Sequence, residues 1–155
     1  MRRRNLVPPR DTIHEIVKQA VVKDGWIITE TDDPYVISYG QRFLFVDLGA
    51  SKSAVDDTQG SLIGACKDNS RIAIEIKDFK AKSLIKDLEQ AIGQYVLYRL
   101  LLDKIDPERE IYLAITDTLY ENFFSEPIGE LVINELPLKM IIVNLERIEI
   151  TKWIR

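Results

Sequence analysis

The chain has one cysteine and one histidine in 155 residues, a count that removes an internal disulfide and any Cys/His zinc cluster. It also disfavours a Cys–His nucleophilic pair, because Cys66 lies in a polar stretch and His14 on a different predicted element. Seven glycines and six prolines are too few for a low-complexity polymer. No apolar run can span a bilayer, since the longest, about Tyr95 to Leu102, is interrupted by Arg99. The basic start Met1-Arg2-Arg3-Arg4 runs through Leu6 and Val7 into Pro8-Pro9 rather than into a signal-peptide core, so the reading is a cytoplasmic protein with no membrane segment. Neither sign of charge dominates: 21 Lys+Arg against 25 Asp+Glu give a net charge of −4. That argues against a nucleic-acid binder held by bulk charge and leaves room for a local basic surface.

What is present is core material. A composition 46% hydrophobic and 30% charged suits a globular domain, and the length fits one. Residues 1 to 10, with four arginines and two prolines among them, read as a flexible basic arm, and residues 11 to 155 as a single domain. Ile13, Ile16, Val17, Ala20 and Val21 recur at helical spacing, with Thr12 and Glu15 as a capping box and Gly25 as the terminator. Tyr35–Tyr39 and Phe43–Leu48 read as a hairpin across Gly40-Gln41-Arg42. Residues 49 to 70 are rich in turn formers and read as a long loop.

Arg71 to Lys77 alternates, with Ile72, Ile74 and Ile76 on one face and Ala73, Glu75 and Lys77 on the other. A helix is expected from about Ser83 to Ile105, stopped by Asp106-Pro107. A buried strand at Ile111–Ile115, helices at Asp117–Phe124 and Ile128–Asn134, and strands at Met140–Val143 and Ile148–Trp153 complete the order. This predicts an α/β or α+β fold whose mixed central sheet is flanked by helices, the long helix forming a parallel crossover.

Asp47, Glu75 and Lys77 form the one constellation that could carry chemistry. Glu75 and Lys77 share a strand face, and Asp47 joins them if its strand is the neighbour. Asp47 sits between Val46 and Leu48, and Glu75 between Ile74 and Ile76, so both carboxylates are embedded in apolar strands. Two buried acids persist only when a cation compensates them, either Lys77 or a metal. Mg²⁺ or Mn²⁺ suits oxygen donors, and the Ile76 carbonyl is a further candidate ligand. The metal would then polarise a scissile phosphate and Lys77 would offset developing negative charge, which is phosphodiester hydrolysis. The alternative is an ordinary interstrand ion pair at the end of a sheet.

Asp47 followed by Glu75-x-Lys77 is similar to the acid and (Asp/Glu)-x-Lys pattern of the restriction-endonuclease-like superfamily. More of the chain resembles the cyanobacterial fdxN-element excision controlling factor family, XisH. The strings that carry this are His14 to Ala20, Lys23 to Thr29, Phe45-Val46-Asp47-Leu48-Gly49-Ala50, Ile74-Glu75-Ile76-Lys77-Asp78-Phe79, Asp87 to Tyr95, and Glu126-Pro127-Ile128-Gly129. The resemblance covers about residues 11 to 154. It implies a restriction-endonuclease-like fold and action beside a companion factor, XisI, in the recombinase-driven excision of a DNA element during heterocyst differentiation. It leaves two versions open: a Mg²⁺-dependent endodeoxyribonuclease, or a non-catalytic adaptor of the same fold that binds XisI. DNA is an implied partner, and a homodimer is an expectation from nucleases of this fold. The Arg-rich arm and the stretch between Ala50 and Arg71 depart from the family pattern.

Several other residues read two ways. In such folds the first helix sometimes supplies a further acid to the metal, which would be Glu15, against its plainer reading as a cap partner. Gln90 and Gln94 share a face of the long helix with Tyr95 beside them. Gln94 is the candidate to reach the site, with Gly93 before it suggesting a close approach. His14 is at most a minor general base. Lys80, Lys82 and Lys86 form either a phosphate-binding rim or a solvated patch. Tyr95 and Tyr98 read as core or interface residues, and Trp26 and Trp153 as core anchors.

Overall fold

The computed structural model describes residues 9–53, 70–79 and 82–155. The expected basic arm up to residue 8, Cys66 and Lys80 lie outside the described residues.

Helix α1 runs from Pro9 to Lys23, starting before the Thr12 that the sequence suggests. Proline at a first helical position has its φ preset and needs no amide donor, so it opens the helix earlier. Thr12 is thereby inside the helix, and the expected capping box with Glu15 does not mark its start. The end is as expected: Gly25 has a φ of 101° and takes the left-handed turn.

The hairpin pairs β1 (Tyr35–Tyr39) with β2 (Arg42–Val46), antiparallel, across Gly40 at a φ of 62°. The chain then differs from expectation. It bends at Asp47 and enters a third strand, β3 (Leu48–Lys52), where the sequence predicts a loop. The sequence Gly49-Ala50-Ser51 has low strand propensity, but its small residues admit neighbours that larger ones would exclude. A Cβ on Gly49 would lie 3.0 Å from the Arg109 guanidinium, 3.0 Å from the Asp32 carboxylate and 3.1 Å from the Tyr35 ring. Tertiary packing thus overrides local preference.

β4 (Ser70–Ile76) is followed by α2 (Leu84–Ile105), whose Ser83 cap oxygen accepts from the Lys86 amide at 3.2 Å. Next come β5 (Arg109–Thr116), α3 (Asp117–Asn122), α4 (Pro127–Glu135), β6 (Met140–Asn144) and β7 (Glu149–Ile154). The main sheet has the order β3-β4-β5-β6-β7, with β4, β5 and β6 parallel and both edge strands antiparallel. The fold is therefore mixed α+β, its parallel centre buried on both faces as such strands require. One face packs Ala73, Leu113 and Ile115 under Leu88, Ala91, Tyr95 and Leu102 of α2. The other packs Ile72, Ile74, Tyr112 and Ile141 against Val17, Ala20 and Val21 of α1. Trp26 joins that second core with its ring 5.8 Å from that of Trp153.

An ionic staple ties the far end of β4 and β5 to the hairpin. Asp106 accepts from Arg71 at 2.6 Å and from Arg109 at 3.0 Å, while the Arg109 guanidinium lies 4.2 Å from the centre of the Tyr35 ring. Burial pushes the Asp106 carboxyl up, but the hydrogen bonds from Arg71 and Arg109 outweigh it and hold the group below its ordinary value of 3.8. Asp33 is likewise held low: burial opposes, and the Lys18 and His14 contacts prevail. A carboxyl depressed in the folded state adds stability above its unfolded value and loses it as the pH falls through the folded one. Urea midpoints should therefore be flat from neutrality down to about pH 5 and fall below about pH 4. Asp106→Asn should blunt that acid decline while lowering the midpoint at pH 7.

Candidate active site

The strand register builds the site. β3 pairs antiparallel with β4 through Leu48 opposite Ile74, so the next position outward sets Asp47 beside Glu75. The neighbour of β4 is β3 rather than the hairpin strand, and Asp47 sits at the bend between the two. There its Oδ2 accepts from the Ile76 amide at 2.8 Å, which fixes the carboxylate on the end of β4. Beyond Ile76, the Lys77 amide still donates to the Ala114 carbonyl at 3.0 Å, so β5 holds the other side of the same segment.

Alternation turns Glu75 with Ala73 toward α2 and leaves Ile74 on the α1 face. Glu75 is only 3% exposed. The Lys77 ammonium lies 3.7 Å from its Oε2, with 18% of the Lys77 side chain exposed. The trio expected from the sequence is therefore brought together, one acid buried, one pinned to backbone, and the cation largely buried beside them.

α2 closes the site from above. Gln94 interacts with the Tyr98 hydroxyl, and its Oε1 is buried with no hydrogen-bond partner among the described residues. Burial raises the Tyr98 phenol above its ordinary value, and the negative charge of Glu75 raises it further, with a smaller contribution from Asp47. Tyr98 thus senses both acids, and its hydroxyl donates to the Phe45 carbonyl at 3.4 Å. Gly93, expected to permit a close approach at the site, instead has no atom of the described residues within 4 Å of where a Cβ would lie. It lies a position before Gln94 and so on another side of the helix.

A cleft of about 260 Å³ opens over this end of the sheet, lined by Asp47, Ile76, Lys77, Asp78, Phe79, Asp87, Gln90 and the α1 residues Ile13 and His14. Sequence reading misses Asp78, Asp87 and Tyr98 as site residues. Asp87, Gln90 and Gln94 recur at intervals of three and four, so one polar helix face is the signal that points to them. The cleft meets α1 through His14, whose Nε2 lies 2.9 Å from Asp33 Oδ1. Glu15 is exposed and its carboxylate gathers with His14 and Asp33, where the Lys18 ammonium is already 2.8 Å from Asp33 Oδ2. Lys82 and Lys86 are exposed at the start of α2.

The donors at this end of the sheet are hard oxygens: the carboxylates of Asp47, Asp78 and Asp87 in the cleft lining, the buried carboxylate of Glu75, and the carboxamide of Gln94 beside Tyr98. That set fits Mg²⁺ or Mn²⁺ and lacks the thiolate or imidazole cluster that would select zinc. The buried Gln94 oxygen is the feature a cation would satisfy most directly.

All of these residues lie inside the match to the XisH protein family, which runs over residues 7–151. The chain belongs to the XisH family. A solved structure of a fdxN element excision controlling factor protein from Anabaena variabilis is 35% identical, covering 94% of this chain and 100% of its own, with a TM-score of 0.78. That of an XisH family protein from Nostoc punctiforme is 34% identical over 94% of this chain and 100% of its own, with a TM-score of 0.79. No curated protein matches the chain. The XisH fold as seen here has no helix, among the described residues, long and apolar enough to cross a membrane.

Proposed function

We propose that this XisH-family chain is an excision controlling factor of restriction-endonuclease-like fold that cleaves DNA with Mg²⁺ or Mn²⁺ at the Asp47–Glu75–Lys77 site. The observation that carries the reading is the register that sets Asp47 beside Glu75, with Lys77 3.7 Å from the Glu75 carboxylate. Asp47, Glu75, the Ile76 carbonyl and the Gln94 Oε1 are the residues that would hold the ion. A bound divalent cation supplies Lewis-acid polarisation of the scissile phosphate.

The chain's own groups do the rest. The Ile76 amide holds Asp47 in place, so no reorganisation is needed on binding. Lys77, at the cleft surface, sets a positive charge where negative charge grows on the phosphate oxygens. Tyr98 and Gln94 fix the roof, and Phe79 and Ile13 restrict water on the flanks. Glu15, exposed beside Lys18 and Asp33, takes no part. In this reading the protein works with the companion factor XisI on a DNA element excised during heterocyst differentiation, as the family resemblance implies.

The test is a Mg²⁺ and Mn²⁺ titration with cleavage of supercoiled plasmid by wild type, Asp47→Ala and Lys77→Ala. Wild type should cut, and each variant should lose roughly a hundredfold in rate, the scale for removing a single charge-stabilising group. Equal rates in all three would end the catalytic reading. A second reading is favoured by the same residues seen differently: Lys77 already compensates Glu75 and the Ile76 amide already binds the Asp47 carboxylate, so each acid has a partner without an ion. The protein would then be a non-catalytic adaptor for XisI. Calorimetry showing no Mn²⁺ heat together with a tight complex with the companion would support it.

A further inference from the structure

α2 has a second face that the site does not use. Lys86, Glu89, Gly93, Leu97, Leu100 and Lys104 recur at intervals of three and four and are exposed, so they form one stripe down the helix. Leu97 is 44% and Leu100 56% exposed, a large apolar surface to leave in water at the centre of a helix. Gly93 lies in the same stripe. A glycine in a helix interior is less favourable than alanine, and nothing within 4 Å would meet an added Cβ here. Among the described residues no contact therefore requires its missing side chain. A backbone left bare at this position lets another helix approach closely.

We propose that this face is a two-fold interface with a second copy of the chain, the two α2 helices packed antiparallel about a point near Leu97. The charge pattern singles out that occupant. Antiparallel pairing in this register sets Glu89 opposite the partner copy's Lys104, and Lys104 opposite the partner copy's Glu89. Neither residue has another ion pair among the described residues. The same register lays Leu100 onto the gap at the other copy's Gly93 and meets Leu97 with Leu97 at the axis. A two-fold contact must be self-complementary, and this stripe is. Gln90 and Asp87 face the cleft from the neighbouring side of the helix, so each cleft stays open beside the interface. A single pair of helices buries less than a large obligate interface, so the dimer is a concentration-dependent one in the micromolar range.

Sedimentation velocity over 1 to 300 µM tests this at about 0.1 M salt. Wild type should shift from monomer to dimer, and Leu100→Glu should remain monomeric with an unchanged circular dichroism spectrum. Glu89→Lys should weaken association roughly tenfold, and the Glu89→Lys/Lys104→Glu exchange should restore it, which a merely structural loss would not do. Gly93→Ala should raise the melting temperature while weakening the dimer. Wild type that stays monomeric to 300 µM overturns the proposal. So does a dimer that survives Leu100→Glu but dissociates on Phe43→Ser, which would put self-association on the exposed hairpin face instead.

Discussion

Lys77→Met is expected to destabilise the fold by about 3 kcal/mol at pH 7, the low end for stripping one partner from a buried ion pair. Glu75 is 3% exposed and retains its carboxylate, so the variant must bury that charge without its ammonium or protonate it. The low-end figure reflects Lys77 itself, whose side chain is partly in solvent and 3.7 Å from the acid. The pH dependence carries the diagnosis. In the variant the neutral acid is favoured in the fold, so the carboxyl is raised there relative to the unfolded chain. A raised carboxyl contributes its stability below the unfolded value and loses it as the pH rises. The deficit against wild type should therefore be greatest near neutrality and shrink as the pH drops through the carboxylate range.

Glu75→Gln combined with Lys77→Met should recover most of the loss, because two neutral groups of similar shape leave no buried charge. Urea unfolding across pH 4 to 8 measures all three proteins. A single mutant as stable as wild type at pH 7 would mean that Lys77 is not what compensates Glu75. Added Mn²⁺ separates the two functional readings further. A metal-binding site should recover stability in Lys77→Met with rising Mn²⁺, since an ion bound only by the folded state stabilises it by mass action. An adaptor should show no such recovery.

The parts of this site that the sequence discloses are those governed by local periodicity. Ile72, Ile74 and Ile76 against Ala73, Glu75 and Lys77 is a period of two, and it places Glu75 and Lys77 on one face, as the structure does. The 22-residue α2 is legible in the same way through Leu88, Ala91, Tyr95 and Leu102. What stays hidden is non-local. Gly49-Ala50-Ser51 carries the look of a turn, because the strand it forms is specified by Arg109, Asp32 and Tyr35 crowding over Gly49 and not by its own propensity. Without β3 the partner of β4 has no assignment, and neither has the reason Asp47 meets Glu75. Tyr98 is legible as a core residue but not as a neighbour of two acids, since that depends on where α2 crosses the sheet. Gly93 and Gln94 are adjacent in sequence, yet about one hundred degrees of helical rotation sends them to different surroundings.

Gly129→Ala should be among the most damaging single-methyl additions in the chain, costing about 3 kcal/mol and lowering the melting temperature by roughly 6 to 12 °C. Gly129 lies in the first turns of α4, immediately after the α3–α4 corner. A Cβ there would stand 2.4 Å from the Phe124 Cα, 2.8 Å from the Phe123 carbonyl oxygen and 2.8 Å from the Phe124 carbonyl carbon. All three are backbone atoms, so no rotamer change can relieve the clash and α4 must shift against the corner. The corner is itself anchored: Phe123 and Phe124 are buried, and the Phe79 ring packs 6.0 Å and 5.9 Å from theirs. Because Phe79 also lines the cleft, displacement of the corner should reach the site as well as the core. Gly93→Ala is the matched control at concentrations where the chain is monomeric, the same methyl on an exposed helix with no neighbour within 4 Å among the described residues, where a gain of about 0.5 to 1 kcal/mol is expected instead. Scanning calorimetry of the two variants should therefore give shifts of opposite sign. A loss of less than about 2 °C for Gly129→Ala would mean that α4 moves away cheaply and that the corner does not clamp Phe79.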